Sequence, residues 1–206
     1  MIHLASANST SQLSKFEDSQ VQPNAIDLKV DRIFEIDKKD FAINEEQKIH
    51  RGSVEMMPDE KGDWILTPGC YEIIMEGEVE IGDDEAGWVI TRSTLNRNGL
   101  FITSGLYDSG YNGVMAGALH VEVGNARIRK GTRVGQFLLF KAESLSQYDG
   151  DYGKGKGDVR YETQTFLHHQ ERTPVSPPYT KNNDPHVGLD IDDTTGLVKG
   201  VLGHGS

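Results

Sequence analysis

The sequence predicts an all-β fold, and three observations lead to that prediction. Glycine and proline supply 23 and 7 of the 206 residues and recur between short apolar runs. Apolar and polar residues alternate from position 118 to position 123, which is the period of a strand with one buried face. Helical periodicity is weak along the whole chain. Short strands that recur about every 8–12 residues, with turns between them, are typical of a β-sandwich or barrel.

The predicted elements follow from local composition, in chain order. Runs rich in β-branched, aliphatic and aromatic residues and bounded by turn residues predict strands. These runs are residues 25–36, 63–66, 71–75, 118–123 and 132–140. The best helical candidate is a single turn over residues 93–99, where Ser93 or Thr94 would cap the start and Gly99 the end.

The composition changes near Gln170. Four prolines, many polar residues and no aromatic residue after Tyr179 follow it, and such a segment buries too little surface to form its own core. The chain is therefore predicted to comprise one β domain over residues 1–165 and an extended or disordered tail over residues 166–206.

Charge and composition exclude several classes of function. The 21 lysines and arginines against 32 aspartates and glutamates give a net charge of −11, which argues against binding nucleic acid through clustered basic residues. A small anionic ligand needs only a few placed cations. No apolar run approaches the roughly 18–20 residues of a membrane helix, no secretion signal is visible, and the lone Cys70 excludes an intrachain disulfide. We expect a cytoplasmic protein (host cytoplasm for a viral source), with no membrane and no nucleic-acid partner.

Five short stretches carry residue types that suit a chemical site. They are QPNAIDL (22–28), TRSTLNRNG (91–99), LYDSGYNG (106–113), GTRVGQ (131–136) and YDGDYGKGKG (148–157). In the first, Asp27 interrupts an apolar strand, so it is either exposed or an anchor for a divalent ion or its water. In the second, Arg92, Ser93 and Arg97 group donors that suit phosphate oxygens, although arginine at a surface turn is common.

The third stretch is the most informative. Gly110 and Gly113 bracket Tyr111, and glycine lets a backbone approach a ligand closely. Tyr111 offers a flat face to a sugar or a base, and Asp108 is placed to act as a general base on a water molecule. The alternative is a tight turn whose aspartate bonds to its own backbone.

The last two stretches are weaker when taken alone. Arg133 and Gln136 precede a buried strand and either donate to phosphates or lie on its polar face. The loop over residues 148–157 nearly matches a P-loop, but Gly157 stands where Ser or Thr would bind the metal, and no amphipathic helix follows. A flexible flap that carries Lys154 over an anion is the better interpretation.

In this order, the five stretches resemble the five motifs of the dUTPase and dCTP deaminase superfamily. The resemblance covers residues 20–157, and the third and fifth stretches look most like archaeal or viral dUTPases. Members of this superfamily are distorted jelly-roll barrels that form homotrimers with active sites between subunits. The resemblance therefore implies that fold, a homotrimer with interfacial sites, and a flap over residues 148–157.

The resemblance also implies a role for each matched residue. Asp108 matches the aspartate that activates the water attacking the α-phosphorus, and Tyr111 matches the aromatic residue beneath the deoxyribose. Asp27 matches an aspartate associated with magnesium through water. The remaining residues implied to bind substrate are Arg92, Ser93, Arg97 and Gln136 at the phosphates and Tyr152 and Lys154 in the flap.

Two positions depart from the family pattern. Deaminases carry a catalytic glutamate ten residues after the third-motif aspartate, and the corresponding residue here is Ala118, which can neither accept nor donate a proton. Gly155 stands where the flap commonly has a glutamine.

The resemblance implies a dUTP diphosphatase that hydrolyses dUTP to dUMP and pyrophosphate, with Mg²⁺ chelated by the triphosphate. Three alternatives stay open. The protein is a dCTP deaminase or a bifunctional deaminase, which Ala118 disfavours; it is a non-catalytic nucleotide-sensing module; or its substrate is another nucleotide, such as a modified viral dNTP.

Overall fold

The computed structural model describes residues 1–156, 189–191 and 198–201 of the chain. The helices are a 3-10 turn (Asp18–Gln20) and α1 (Ser93–Asn96). The strands are β1 (Gln12–Leu13), β2 (Ile26–Ile36), β3 (Ala42–Ile43), β4 (Lys48–Ile49), β5 (Ser53–Glu55), β6 (Asp63–Leu66), β7 (Gly69–Glu80), β8 (Glu85–Thr91), β9 (Leu100–Thr103), β10 (Leu106–Tyr107), β11 (Asn112–Val121), β12 (Ala126–Arg129), β13 (Arg133–Lys141), β14 (Leu189–Ile191) and β15 (Val198–Val201).

The all-β prediction is confirmed, and each predicted strand has a counterpart in β2, β6, β7, β11 or β13. Two local predictions were wrong. The residue at the N-cap of α1 is Arg92, which makes no side-chain capping bond, and the helix ends at Asn96. The alternation predicted to continue to Val123 stops at the end of β11, so Val123 is 72% exposed whereas Leu119 is fully buried.

Within the described residues, nine strands form one sheet in the order β10-β8-β13-β2-β7-β11-β9, with β1 on β7 and β5 on β2. Strand β2 joins the two halves of this sheet, because its first residues pair with β13 and its later residues pair with β7. Side chains from both halves meet in one buried cluster, including Leu28, Ile73, Leu119 and Phe137. The sheet therefore curls around a single apolar core.

The sheet splits where β9 ends. Thr103 is the last residue of β9 to pair with β11, opposite Ala118, and the chain then crosses over so that Leu106 and Tyr107 of β10 pair with β8 instead. This split leaves a gap between β10 and the first half of β11, and the gap is the main cavity described below.

By its internal packing the chain divides into two compact units, Met1–Thr165 and Phe166–Ser206. In the second unit, β14 and β15 pair in antiparallel register. The boundary predicted at residue 165, Gly157 of the flap and most of the predicted tail lie outside the described residues. The two helices found in residues 1–156 are single turns, and neither has the length of a membrane span.

Candidate functional site

Asp27 is a buried residue whose carboxylate and backbone oxygen are contacted by side chains from three other segments. Asp27 is 1% exposed, and its Oδ1 accepts a hydrogen bond from Gln136 Nε2 at 3.0 Å. Its Oδ2 lies 3.2 Å from Arg92 Nε and 3.4 Å from Arg133 Nη1. Gln20 Nε2 holds the backbone oxygen of Asp27 at 2.7 Å. We call Asp27, Arg92, Arg133 and Gln136 the Asp27 cluster.

A β-bulge brings two of these donors to the same face. Gln136 pairs with Asp27, and Arg133 pairs with Lys29, but the register shifts between Arg133 and Gly135. Without that extra residue, side chains three positions apart would point to opposite faces of the strand. The bulge therefore places both Arg133 and Gln136 beside the carboxylate.

The second polar region is a cavity of about 420 Å³ in the gap between β10 and β11. We call residues 106–117, which form one side of it, the tyrosine hairpin. Its lining includes four tyrosines, two from the hairpin and two from the flap: Tyr107, Tyr111, Tyr148 and Tyr152.

Two tyrosine hydroxyls of the hairpin bond to its own backbone. The Tyr107 hydroxyl donates to Ala116 O at 2.9 Å and accepts from Ala116 N at 3.0 Å, so it satisfies the edge of β11 where no strand pairs. The Tyr111 hydroxyl donates to Val114 O at 2.7 Å. Burial raises the pKa of both Tyr107 and Tyr111 above the usual range, so both hydroxyls are neutral.

The predicted sugar platform is covered in this structure. Tyr111 is only 4% exposed, because Tyr107 and Tyr148 pack against it edge to face with ring centroids 5.1 and 5.3 Å away. A ligand that stacks on the Tyr111 ring must therefore displace Tyr148, which belongs to the flap.

Asp108 lies exposed at the turn of the hairpin. Its backbone oxygen accepts from Tyr111 N at 3.0 Å. The neighbouring Ser109 is buried, and its hydroxyl donates to Glu85 O at 2.7 Å and contacts Ser144 Oγ at 2.6 Å. These contacts fix the backbone on both sides of the Asp108 carboxylate without covering it.

The flap docks on the same hairpin. Tyr148 N donates to Ser109 O and Lys154 N donates to Asn112 O, each at 2.7 Å. This close approach depends on the glycine at position 153, because a Cβ on Gly153 would lie 2.7 Å from Asn112 O. Lys154 Nζ lies 3.6 Å from Glu78, so the flap lysine is held away from the Asp27 cluster.

The predicted site residues fall into two groups on one chain. Asp27, Gln136 and Ile90 lie side by side on neighbouring strands, and Tyr107 pairs with Gly87 on β8. Three strand spacings of about 4.8 Å and three residues of about 3.3 Å separate Asp27 from Tyr107, so the path between their Cα atoms along the sheet is about 17 Å. Asp108 is one residue further away.

Arg92 and Gln136 therefore belong with Asp27, whereas Tyr111, Tyr152 and Lys154 belong with Asp108. Ser93 and Arg97 lie at the two ends of α1. They follow Arg92 closely in sequence, but no side-chain contact among the described residues joins them to the Asp27 cluster. The sequence offered Arg133 only as one of two open interpretations, and it did not indicate Tyr107 or Tyr148 as site residues. Only the bulge shows the position of Arg133, and no sequence pattern indicates where the Tyr107 hydroxyl bonds.

Ala118 lines a smaller cavity of about 270 Å³ that shares Gly117 and Tyr152 with the tyrosine cavity. The residue opposite Ala118 on β7 is Glu72, which also lines this cavity. Ser53 Oγ donates to Glu72 Oε2 at 3.0 Å, so this carboxylate is held on the sheet.

A magnesium ion does not fit beside Asp27. Two guanidinium groups within 3.4 Å of its carboxylate would repel a divalent cation, and the carboxylate is shielded from water. Among the described residues, no three His, Cys, Asp or Glu side chains come together as a possible metal site. The predicted water-mediated magnesium role of Asp27 stays a prediction, and these contacts favour a role in holding the guanidinium groups of Arg92 and Arg133.

Comparison with known proteins identifies the family. The sequence profile described as dCTP deaminase-like matches residues 2–142. The chain belongs to the dCTP deaminase-like family. It is 32% identical over 140 residues to the "Probable deoxyuridine 5'-triphosphate nucleotidohydrolase" of Methanopyrus kandleri, an alignment that covers 67% of this chain and 90% of that protein. The protein of the same description from Halobacterium salinarum is 32% identical over 69% of this chain and 88% of its own.

The chain is also similar to proteins with another description. The "dCTP deaminase, dUMP-forming" of Streptomyces coelicolor is 28% identical over 76% of this chain and 84% of its own. A solved 2'-deoxycytidine 5'-triphosphate deaminase from Agrobacterium tumefaciens has a TM-score of 0.47 at 15% identity, covering 63% of this chain and 43% of that one. The superfamily predicted from the five motifs is confirmed.

Proposed function

We propose that the protein is a dUTP diphosphatase, which converts dUTP and water to dUMP and pyrophosphate. Two features together carry the proposal: Ala118 lines the smaller cavity, and the side chain of Asp108 is exposed. Deamination of cytosine needs a group that moves protons at the ring, and alanine has none. Hydrolysis of the triphosphate needs a base for water and donors for phosphate oxygens, and both are present. The names of the archaeal relatives support the same activity.

In this reaction Asp108 orients a water molecule and accepts its proton. The water oxygen attacks the α-phosphorus in line with the bridging oxygen to the β-phosphorus, that bond breaks, and pyrophosphate leaves. The exposed carboxylate on a rigid turn suits this role, because Ser109 anchors the backbone while the side chain stays accessible.

The remaining predicted residues bind the nucleotide. Tyr111 lies beneath the deoxyribose once the flap has moved, and Tyr152 and Lys154 of the flap close over the substrate. Arg92, Ser93, Arg97 and Gln136 bind phosphate oxygens. Mg²⁺ bound to the triphosphate offsets the charge that develops on the leaving pyrophosphate.

We also propose a homotrimer with its sites between subunits. Along the sheet, Asp108 and the Asp27 cluster are further apart than the length of a triphosphate, which supports a site whose two halves come from different copies. The surface between them supports this, because Trp88 and Leu106 are cross-strand neighbours and both are exposed.

The test separates the products formed from dUTP, dCTP and the other deoxynucleoside triphosphates with Mg²⁺. We expect dUMP and pyrophosphate from dUTP. Asp108→Asn lowers kcat by about 10³ without changing the melting temperature, whereas Asp40→Asn, at an exposed position outside both regions, has no effect. Ammonia from dCTP would support the deaminase instead, and nucleotide binding without turnover would support a sensing module.

A further inference from the structure

The Asp27 cluster holds more positive than negative charge. One buried carboxylate faces two guanidinium groups, and the side chains of Arg92 and Arg133 are 28% and 37% exposed. The carboxylate is thus covered by its partners, while the partners themselves reach solvent. A cluster that only neutralised a buried aspartate would need one arginine.

Arg133 keeps donors available. Within residues 1–156 its side-chain contacts all run through Nη1, which donates to Ser19 O at 2.8 Å and lies 3.4 Å from Asp27 Oδ2. A guanidinium has five N–H donors in a rigid fork, and two parallel donors match two oxygens of a phosphate. Nε and Nη2 of Arg133 are therefore available to an anion.

Arg92 is held in the complementary way. Its Nε faces Asp27, and its Nη1 donates to the backbone oxygen of Arg133 at 3.0 Å. The two guanidinium groups are thus held next to each other, because both contact the same carboxylate and Arg92 also bonds to the backbone of Arg133. Their mutual repulsion is offset by Asp27, which contacts both.

We infer that Arg133 is a further polyphosphate-binding residue, and that Asp27 is a positioning residue that holds Arg92 and Arg133 on one face and does not anchor a metal. The inference relies on the proposed function for the identity of the nucleotide, but the anion site itself stands on the geometry of the cluster.

The first test uses inorganic tripolyphosphate as the probe, titrated calorimetrically into the full chain without metal. We expect Arg133→Met to weaken binding about tenfold, the effect of losing a charged hydrogen bond. The matched control is Arg127→Met, which removes the same charge from β12, where Arg127 pairs with Asp63. Equal affinities for the two variants would overturn the assignment of Arg133.

The second test asks what Asp27 holds. Mg²⁺ titrated alone into the wild-type protein should show no site that Asp27→Asn removes, while the same substitution weakens tripolyphosphate binding. A saturable Mg²⁺ site lost in Asp27→Asn, with tripolyphosphate affinity unchanged, would overturn the positioning role. Should Asp27→Asn fail to fold, a saturable Mg²⁺ site in the wild-type protein overturns that role, and its absence supports it.

The two proposals fail separately. Tripolyphosphate binding that depends on Arg133, without hydrolysis of dUTP, would refute the proposed activity and leave the anion site in place. Hydrolysis of dUTP with an unchanged KM in Arg133→Met would refute the role of Arg133 alone.

Discussion

The Asp27 cluster and the tyrosine hairpin are built from contacts of opposite range. The hydrogen bond between Gln136 and Asp27 joins residues 109 apart in the chain. The Tyr107 and Tyr111 hydroxyls bond to residues nine and three positions away. The cluster therefore exists only when the sheet is complete, whereas the hairpin is determined by one turn and the flap that docks on it. Substitutions should consequently affect one region without the other.

The largest expected effect is the loss of stability when Glu85 is substituted. The backbone oxygen of this residue accepts a hydrogen bond from Ser109 of the tyrosine hairpin. Glu85 is fully buried; its carboxylate accepts from Ser11 and Thr10 and pairs with Lys141 at 2.8 Å. We expect Glu85→Gln to lower the free energy of unfolding at pH 7 by about 3 kcal/mol, since it removes the charge of a buried acceptor of several hydrogen bonds and unpairs the half-exposed Lys141. Urea unfolding measures this, with the exposed Glu143→Gln as the unchanged control.

The same residue predicts a pH dependence. Burial opposes the ionisation of Glu85, but the bonds from Lys141, Ser11 and Thr10 outweigh it and lower its pKa to about 2. A lowered pKa means that the contribution is complete above the unfolded-state value of about 4.3 and is lost as the pH falls towards 2. The stability difference between wild type and Glu85→Gln should shrink over that interval. A constant difference would contradict this account.

Tyr107→Phe should perturb the tyrosine hairpin and leave the Asp27 cluster unchanged. It leaves the N–H and C=O of Ala116 without their partner, at a cost of about 1–3 kcal/mol in unfolding free energy. The KM for dUTP should rise while tripolyphosphate affinity stays unchanged. Tyr71→Phe is the matched control, because it removes a hydroxyl that bonds Thr67 outside the site and should change stability only. A loss of tripolyphosphate affinity in Tyr107→Phe would show that the regions are not independent.

The smallest effect distinguishes two flap glycines. Gly153 and Gly155 both have positive φ, at 107° and 77°, so alanine strains both positions. An added Cβ meets Asn112 O at Gly153 and nothing within 4 Å at Gly155. We expect Gly153→Ala to weaken the free energy of flap docking by about 1 kcal/mol more than Gly155→Ala does. Trypsin should therefore cleave after Lys154 about fivefold faster in Gly153→Ala than in Gly155→Ala. Equal cleavage rates would mean that the docked flap does not depend on this contact.

Five of the strands and the turn of the tyrosine hairpin were predictable from the sequence. The strands follow from alternation and turn residues, and the turn around Asp108 and Tyr111 follows from its two glycines. The burial of Tyr111 under Tyr148 was not predictable, because it depends on where the flap docks. The exposure of Val123 was also missed, since alternation does not show where a strand leaves the sheet.

The Asp27 cluster, which long-range contacts hold together, was only partly predictable. The residue types at Asp27, Arg92 and Gln136 suggested a polar site, but the sequence does not show that they meet. A period of two places Arg133 and Gln136 on opposite faces, and only the bulge between them reverses that result. Register shifts of this kind are set by pairing with a distant strand.

If the two regions act together only between subunits, mixing subunits of two inactive variants should restore activity. Asp108→Asn and Arg92→Gln, the latter keeping an amide donor for Asp27, are each expected to be nearly inactive. Unfolded together and refolded as a one-to-one mixture, they should recover about one quarter of the wild-type activity, because one interface in four pairs an intact Asp108 with an intact Arg92. A mixture no more active than its separate variants would show that the two regions do not combine between subunits.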